Sequence, residues 1–590
     1  MSARYGFAKS FGAELLDGGT VRFRFWAPSV EAVTLELGDD ALPMQRETGG
    51  WFVATAPCGD GARYRFRLPD GLAVPDPASR RQAGDVHDPS VVVDPRAYQW
   101  RHADWKGRPW HEAVVYELHV GAFGGFAGVE KRLPELKALG VTAVELMPIA
   151  DFPGQHNWGY DGVLPYAPDA AYGTPDELKH LIDAAHGLGL MMFLDVVYNH
   201  FGPDGAYLHA YAKTFFDESK HTPWGAAIDF TRPEVRTYFT ENALFWLLEY
   251  RFDGLRFDAV HAISPPEFLD HMAARVRARP DDGRQIHLVL EHEGNVASHL
   301  ARDFDAQWTD DVHHCLHVLL TGEREGYYED FQDAARLLAR AMAEGFAYQG
   351  EVSPHSGKPR GTPSAALPTT AFVICLQNHD QIGNRAFGER LTRLADRQAL
   401  RAATALLLLA PFIPMLFMGE EWGSERPFLF FTDHNPELAE LVRKGRREEF
   451  KKFAAFSDPG KRERIPDPNA PETFDASVPD FDPASKSGTA ETLALHRELL
   501  ALRRQHVIPR IPGARSAGAV PLGRSGVCAR WTMSDGAVLI IAANLGAEPV
   551  EVEGCAGPAL FETGRGTAEA AMNGTLPAHS TVAFLRERPG

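Results

Sequence analysis

A (β/α)8 barrel, preceded by a β-sandwich and followed by a small all-β domain, is the architecture this sequence predicts. Three observations lead there. The first hundred or so residues are short alternating apolar runs broken by Gly, Asp and Pro. From residue 113, strand-length apolar runs alternate with helix-length ones, about eight times. From about residue 515 the short alternating runs return. Strands that alternate with helices pair in parallel, and about eight such units close into a barrel. The class is therefore α/β, with the boundaries expected at 1–105, 106–510 and 511–590.

The elements follow in order. "VRFRFWAP", "AVTLELG", "GWFVATAP" and "ARYRFRLP" have the period of two that suits an antiparallel sandwich. "DPSVVVDPRAYQW" leads out of it. "AVVYELHVG" is the first barrel strand, "AGVEKRLPELKALG" a helix closed by Gly140, and "VTAVELMPI" the second strand. Thr174, Pro175 and Glu177 open the next helix as N-cap, N1 and N3, a capping box. "MMFLDVVYNH", "FDGLRFDAVHA" and "IHLVLEHEGN" are strands separated by the helices "RPEVRTYFTENALFWLLEYR" and "PPEFLDHMAARVRAR". "AFVICLQNHD" and "PMLFMGEEW" repeat the theme. Residues 457–488, rich in Pro, Asp and Ser, form a long excursion before the helix "ETLALHRELLALRRQ". "GVCARWTM", "AVLIIAANLG" and "STVAFLRE" build the last domain.

Bulk properties exclude several function classes. At 590 residues the chain is longer than one core usually organises. A net charge of −19 opposes nucleic acid or an anionic membrane as partner, and a neutral substrate is compatible with it. The five cysteines are scattered, without a C-x-x-C pair, so neither a disulfide framework nor a zinc knuckle is indicated. No G-x-x-x-x-G-K-[ST] loop occurs. The run 403–419 is nearly all apolar, but Pro411 and Pro414 cut it into a short helix and a short strand, a buried core rather than a membrane span. The N-terminal stretch lacks the apolar core of a signal peptide, and a cytoplasmic location is expected.

A barrel of this kind carries its active site at the C-terminal ends of its strands. Polar residues gather there. "LDVVYNH" ends in Asp195, Asn199 and His200; "LRFDAVH" in Arg256, Asp258 and His261; "LVLEHEGN" in Glu291, His292 and Glu293; "LQNHD" in Asn378, His379 and Asp380. Each alone reads as a capping or ion-pairing group. Four sets at the same end of apolar strands point to one shared polar site. Asp195, Asp258, Glu291 and Asp380 could bind a divalent ion. Arg256 argues against that, because a fixed cation two residues from Asp258 on the same strand face would compete with a metal. It would also keep Asp258 ionised, as a nucleophile requires. Glu291, emerging from apolar "HLVL", suits a carboxyl kept protonated by desolvation. One ionised and one protonated carboxyl are what glycoside hydrolysis needs.

The set "DVVYNH", "GLRFDAVH", "VLEHEGN" and "QNHD", with "NWGYDGVLPYAPDAAYGTPDEL" between the second and third strands, resembles the conserved regions of the α-amylase superfamily, glycoside hydrolase family 13. The likeness spans nearly the whole barrel. It implies Asp258 as nucleophile, Glu291 as general acid/base and Asp380 as the third carboxylate on the sugar hydroxyls. It implies substrate-binding roles for Tyr160, Asp195, His200, Arg256, His261 and His379, with no metal and no cofactor. "PDPASRRQAGDVHDPSVVVD", "YELHVGAF", "QWTDDVHHCLHVLLTGEREGYYEDF" and "QNHDQIGNRAFGERL" are similar to the trehalose-releasing branch of that superfamily. For that branch the substrate is maltooligosyltrehalose or a related α-glucan, cut at the α-1,4 bond beside the terminal trehalose, and the segment Trp308–His314, with Trp308 and Asp311 as its substrate-binding residues, would lie near the trehalose end. Two features depart from the pattern: the short loop "GAFGGFAGVE", and "EHEGN", where Glu293 competes with Glu291 for the acid role. Glu420 and Glu421 are read as structural or outer-subsite carboxylates. A glycogen-branching or isoamylase-type debranching enzyme shares the layout. A glycan-binding protein on a dead barrel would have lost one of Asp258, Glu291 and Asp380, and all three are present.

Overall fold

The computed structural model describes residues 3–222, 225–279, 283–481 and 488–587. At its centre eight parallel strands close on themselves. They are β1 (Val115–Leu118), β2 (Ala143–Leu146), β3 (Met191–Val196), β4 (Gly254–Phe257), β5 (His287–Leu290), β6 (Ala306–Trp308), β7 (Phe372–Cys375) and β8 (Ile413–Phe417). Val115 pairs with Met415, which seals the ring. Every residue of these strands is buried. A parallel strand covered on both faces has to be apolar nearly throughout, which is why the sequence runs here are continuous rather than alternating.

Helices α1 (Phe126–Leu139), α2 (Pro175–Gly187), α3 (Pro233–Leu248), α4 (Glu267–Arg277), α5 (Asp310–Thr321), α6 (Ala334–Glu344), α7 (Arg397–Leu409) and α8 (Thr489–Leu502) are the long helices of the barrel. Their ends obey local chemistry. Thr174 accepts from the N–H of Glu177, and the Glu177 carboxylate accepts from the N–H of Thr174, the capping box read from sequence. Gly140 ends α1 in the left-handed conformation, where a side chain would be strained. The apolar run at 403–419 is the buried end of α7 followed by β8.

Three features were not expected. The connection from β5 to β6 holds only the four-residue helical turn Ala297–Leu300, so the eight units are unequal. β6 itself is three residues long and was not read as a strand. A hairpin, Phe216–Thr222 with Gly225–Ile228, projects between β3 and α3. Within the excursion after β8, Pro459–Arg462 and Pro471–Ser477 are short helices, and Ser477 Oγ accepts from the N–H of Leu429 at 2.9 Å. Residues 482–487 of that stretch lie outside the described residues.

The N-terminal strands form two sheets, one including Thr20–Trp26 and Trp51–Pro57, the other Thr34–Leu37 and Arg63–Arg67. They face each other through Phe25 stacked on Phe66 at 4.2 Å and Phe23 against Tyr64 at 4.9 Å. This layer joins the barrel through Phe11 on Tyr238 and through Arg80, whose guanidinium lies 3.1 Å from the buried carboxylate of Glu249 at the end of α3. A buried pair of this kind is costly to break, about 3–5 kcal/mol, and it sets how the sandwich sits. The C-terminal five-stranded sheet (Arg515–Leu522, Gly526–Thr532, Val538–Asn544, Ser580–Arg586 and Ala559–Glu562) rests on α7, where Thr581 Oγ1 donates to the Ala402 carbonyl.

Candidate active site

The strand ladder continues one residue beyond β4 and β5. The N–H of Asp258 bonds the Val196 carbonyl, and the N–H of Glu291 bonds the Phe257 carbonyl. Asp258 and Glu291 therefore stand side by side at the barrel's C-terminal rim. Between them lies Arg256, which answers why a buried strand carries an arginine. Its Nη1 donates to Asp195 at 2.6 Å and to Asp258 Oδ1 at 2.9 Å. Its Nη2 lies 2.9 Å from Glu291 Oε2, without hydrogen-bond alignment. One wholly buried guanidinium thus faces three carboxylates from three strands. A planar fork of donors suits that task better than an ammonium would.

Each carboxylate has further partners. Asn199 Nδ2 donates to Asp258 Oδ2 at 2.7 Å and to the Asp258 carbonyl at 2.8 Å. Glu291 Oε2 also accepts from the N–H of Ala259 at 2.8 Å. Ala259 has a φ of 39°, a left-handed conformation rare for a residue with a Cβ, and that turn of the chain presents its N–H. The sequence expectation of apolar surroundings for Glu291 is not met. Its β5 neighbours are apolar, but its carboxylate faces a guanidinium and a backbone donor. Burial pushes Asp195 up to about 7, against the pull of Arg256 and with the help of Asp258.

His379 completes the floor. Its Nδ1 is 2.5 Å from Glu117 Oε1, its N–H bonds Glu117 Oε2, and its Nε2 is 3.5 Å from Asp380. Burial alone would strip its proton, yet Asp380 and Glu117 together push it up to about 10, so the ring is cationic at neutral pH. Tyr160 stacks on this imidazole at 5.0 Å and donates its hydroxyl to Asp195 at 2.6 Å. His200 bonds the Tyr160 carbonyl through Nε2 and touches Asn199 through Nδ1. Burial lowers its pKa, which keeps it neutral. Trp308 lies beneath Arg256, 4.0 Å from guanidinium carbon to ring centre, and is 3% exposed.

Asp258, Glu291, Asp380, Tyr160, Asp195, His200, Arg256, His379 and Trp308 are thus brought together. Two predicted residues stand apart. His261 is half-exposed and lies 3.6 Å from Glu293, whose side chain is 78% exposed and makes no contact with Arg256. Asp311 is wholly buried, with its oxygens on Arg360, Asn295 and the N–H of Ala347, a structural anchor. Glu421 accepts from the Tyr116 hydroxyl and Glu420 from the N–H of Phe417, both as buried structural groups. Glu117, which holds His379, was missed. A lone charge inside the apolar run "VVYELHV" is the one signal that could have found Glu117. Among the described residues no group of three or more His, Cys, Asp and Glu side chains is arranged to hold a metal ion.

Comparison with known proteins places this geometry. The family model for the α-amylase catalytic domain matches residues 96–226, and a domain of unknown function, DUF3459, matches 514–583. The malto-oligosyltrehalose trehalohydrolase of Deinococcus radiodurans is 43% identical over 506 residues, 84% of this chain and 83% of its own. The chain belongs to the malto-oligosyltrehalose trehalohydrolase family. A Salmonella typhimurium crystal structure, provisionally named an α-amylase, superposes with a TM-score of 0.92 at 44% identity, covering 98% of this chain and 100% of that one. The 1,4-alpha-glucan branching enzyme of Jannaschia sp. is 35% identical over only 42% of the chain. The trehalohydrolase likeness covers 84% of the chain, twice the share that the branching-enzyme likeness covers.

Proposed function

We propose that this glycoside hydrolase of the α-amylase family cleaves the α-1,4 bond beside the terminal trehalose of maltooligosyltrehalose, with retention, and releases trehalose and a maltooligosaccharide. The observation that carries the reading is the single guanidinium of Arg256 shared by Asp258 and Glu291 at one barrel rim. Asp258, held by Arg256 and Asn199, attacks the anomeric carbon. Glu291 protonates the departing glycosidic oxygen and then takes a proton from the water that opens the glycosyl-enzyme. Retaining displacement needs the two carboxyls roughly 5–5.5 Å apart, and a shared guanidinium favours such a short spacing. Asp380 and cationic His379 hold hydroxyls of the same sugar while its ring distorts, and Tyr160 lies under it. Arg256 loses no hydration at the moment of reaction, because it is already buried and oriented.

The choice of trehalose-capped substrate over a branched glucan rests on the relatives' name and on the extent of the match. Digestion of maltooligosyltrehalose and of amylopectin, followed by product analysis, tests it. Trehalose from the first and no shortened branches from the second is the expected result; debranching or branch transfer would replace this reading. A cytoplasmic site of action is part of the proposal, in keeping with the acidic surface. Among the described residues no helix is long and apolar enough to cross a membrane.

A further inference from the structure

Folding brings two of the five scattered cysteines together in the C-terminal domain. Cys528 stands in the middle of strand Gly526–Thr532, across from Val520 and Ala542 on the neighbouring strands. Strand residues alternate faces, so Cys528 and Arg530 share one face while Val527, Ala529 and Trp531 take the other. The second face looks to the barrel, where Trp531 packs on Phe412, just before β8, with ring centres 6.1 Å apart. The first is covered by a layer of chain that carries Val552, Cys555, Ala568 and Leu576, and Cys528 and Cys555 lie in the same apolar cluster. They are 0% and 6% exposed. The other three cysteines belong to other clusters.

Three contacts fix Cys555 over Cys528. Arg530, two residues along the strand, donates from Nη2 to the Glu553 carbonyl at 2.6 Å. The position a Cβ would take on Gly554 lies 2.8 Å from that same Nη2. The two side chains themselves share a hydrogen bond, sulfur to sulfur, and both stand as thiols in the structure. This bond lowers the pKa of Cys528 and, with burial, raises that of Cys555, so a nucleophilic sulfur sits beside its proton donor. Residues 552–558 form no helix or strand, and Glu553, Gly554, Ala556 and Pro558 are exposed. The backbone is held at the ends of that segment, Val552 donating to the Gly574 carbonyl and Leu585 to the Pro558 carbonyl. Such a stretch opens locally at low cost and admits a small oxidant.

We propose that Cys528 and Cys555 are a site of oxidative modification, a thiol pair that a peroxide closes into a disulfide and a dithiol reopens. One thiol attacks the O–O bond and becomes a sulfenic acid as a first water leaves; the other attacks that sulfur, and a second water leaves. The two thiols give up two hydrogens and two electrons, and the peroxide is reduced to two waters. On reopening, the dithiol returns both thiols and is itself left as a disulfide. The bond ties segment 552–558 to the sheet on the face away from the barrel, so the domain tightens while the barrel rim is untouched. In a reducing compartment the thiols are the resting form and the disulfide the transient one.

The test uses the full chain, first reduced and then exposed in its native state to hydrogen peroxide. Remaining thiols are alkylated and the protein is digested without reduction. Mass spectrometry should find the peptides of Cys528 and Cys555 joined, lighter by two hydrogens than the separate pair. Amide exchange across 552–558 should slow by about tenfold or more in the oxidised protein and recover when dithiothreitol is added. Cys528→Ser and Cys555→Ser should each abolish both the joined peptide and the slower exchange, with circular dichroism like that of the wild type. If a variant fails to fold, the wild-type peptide map still decides the matter. Absence of the joined peptide, a link that forms only after unfolding, a link between copies whose yield rises with protein concentration, or unchanged exchange in the linked protein would each overturn the proposal.

Discussion

Replacing Glu291 by Gln tests the catalytic reading most directly. The amide is isosteric, so the contact with the Ala259 N–H, 2.8 Å in the present arrangement, can persist through its carbonyl. What disappears is the transferable proton and the charge facing Arg256 Nη2. General acid/base catalysis by a placed side chain contributes about 10²–10⁴-fold. At about 1.36 kcal/mol per factor of ten this is about 3–5 kcal/mol of barrier. Glu291 would serve twice, as acid and then as base, so the loss should reach both chemical steps. Glu293→Gln is the control. That side chain is 78% exposed and its described ion pair is 3.6 Å from His261. An exposed pair is worth about 0–1 kcal/mol, so the change should stay under about fivefold. Trehalose release from maltotriosyltrehalose measures both variants. A glycosyl fluoride leaves without protonation, and azide attacks without a base, so together they should restore most of the rate lost in Glu291→Gln. A larger loss in Glu293→Gln than in Glu291→Gln would show that the wrong carboxyl has been named.

Three further outcomes are expected. Asp258→Asn should lose on the order of 10⁴ or more in turnover, with circular dichroism and elution volume unchanged; wild-type-like hydrolysis would remove Asp258 from the mechanism. Gly254→Ala should lower the thermal midpoint by several degrees, because the new Cβ would sit 1.9 Å from the Phe193 ring in the barrel wall and overpacking costs about 1–3 kcal/mol. For His379 the folded pKa, about 10, lies above its ordinary value near 6.5, so its stabilising contribution is complete below about 6.5 and is lost as pH rises through about 10. The gap in thermal midpoint between wild type and His379→Gln should therefore narrow steadily across that range, and a gap that widens would contradict the cationic imidazole.

Much of this molecule could be read along the chain, for a physical reason. Helix starts such as Thr174–Glu177 and buried parallel strands such as "MMFLDVV" are decided by residues a few positions apart, so they leave a local signature. The strand-end groups Asp258, Glu291 and Asp380 were legible because a barrel collects its polar ends on one rim. β6 was not, since three residues are too few to show a period. Pairings across the fold were invisible for a different reason. Glu117 meets His379 from 262 positions away, and only closure of the barrel makes that contact. Asp310 and Asp311 are adjacent in the chain, and nothing local separates them. Arg360, supplied by a distant loop, claims Asp311 for the interior, while Asp310 stays partly exposed. Which carboxyl works and which one braces is set by what packs against each, and that belongs to the tertiary structure alone.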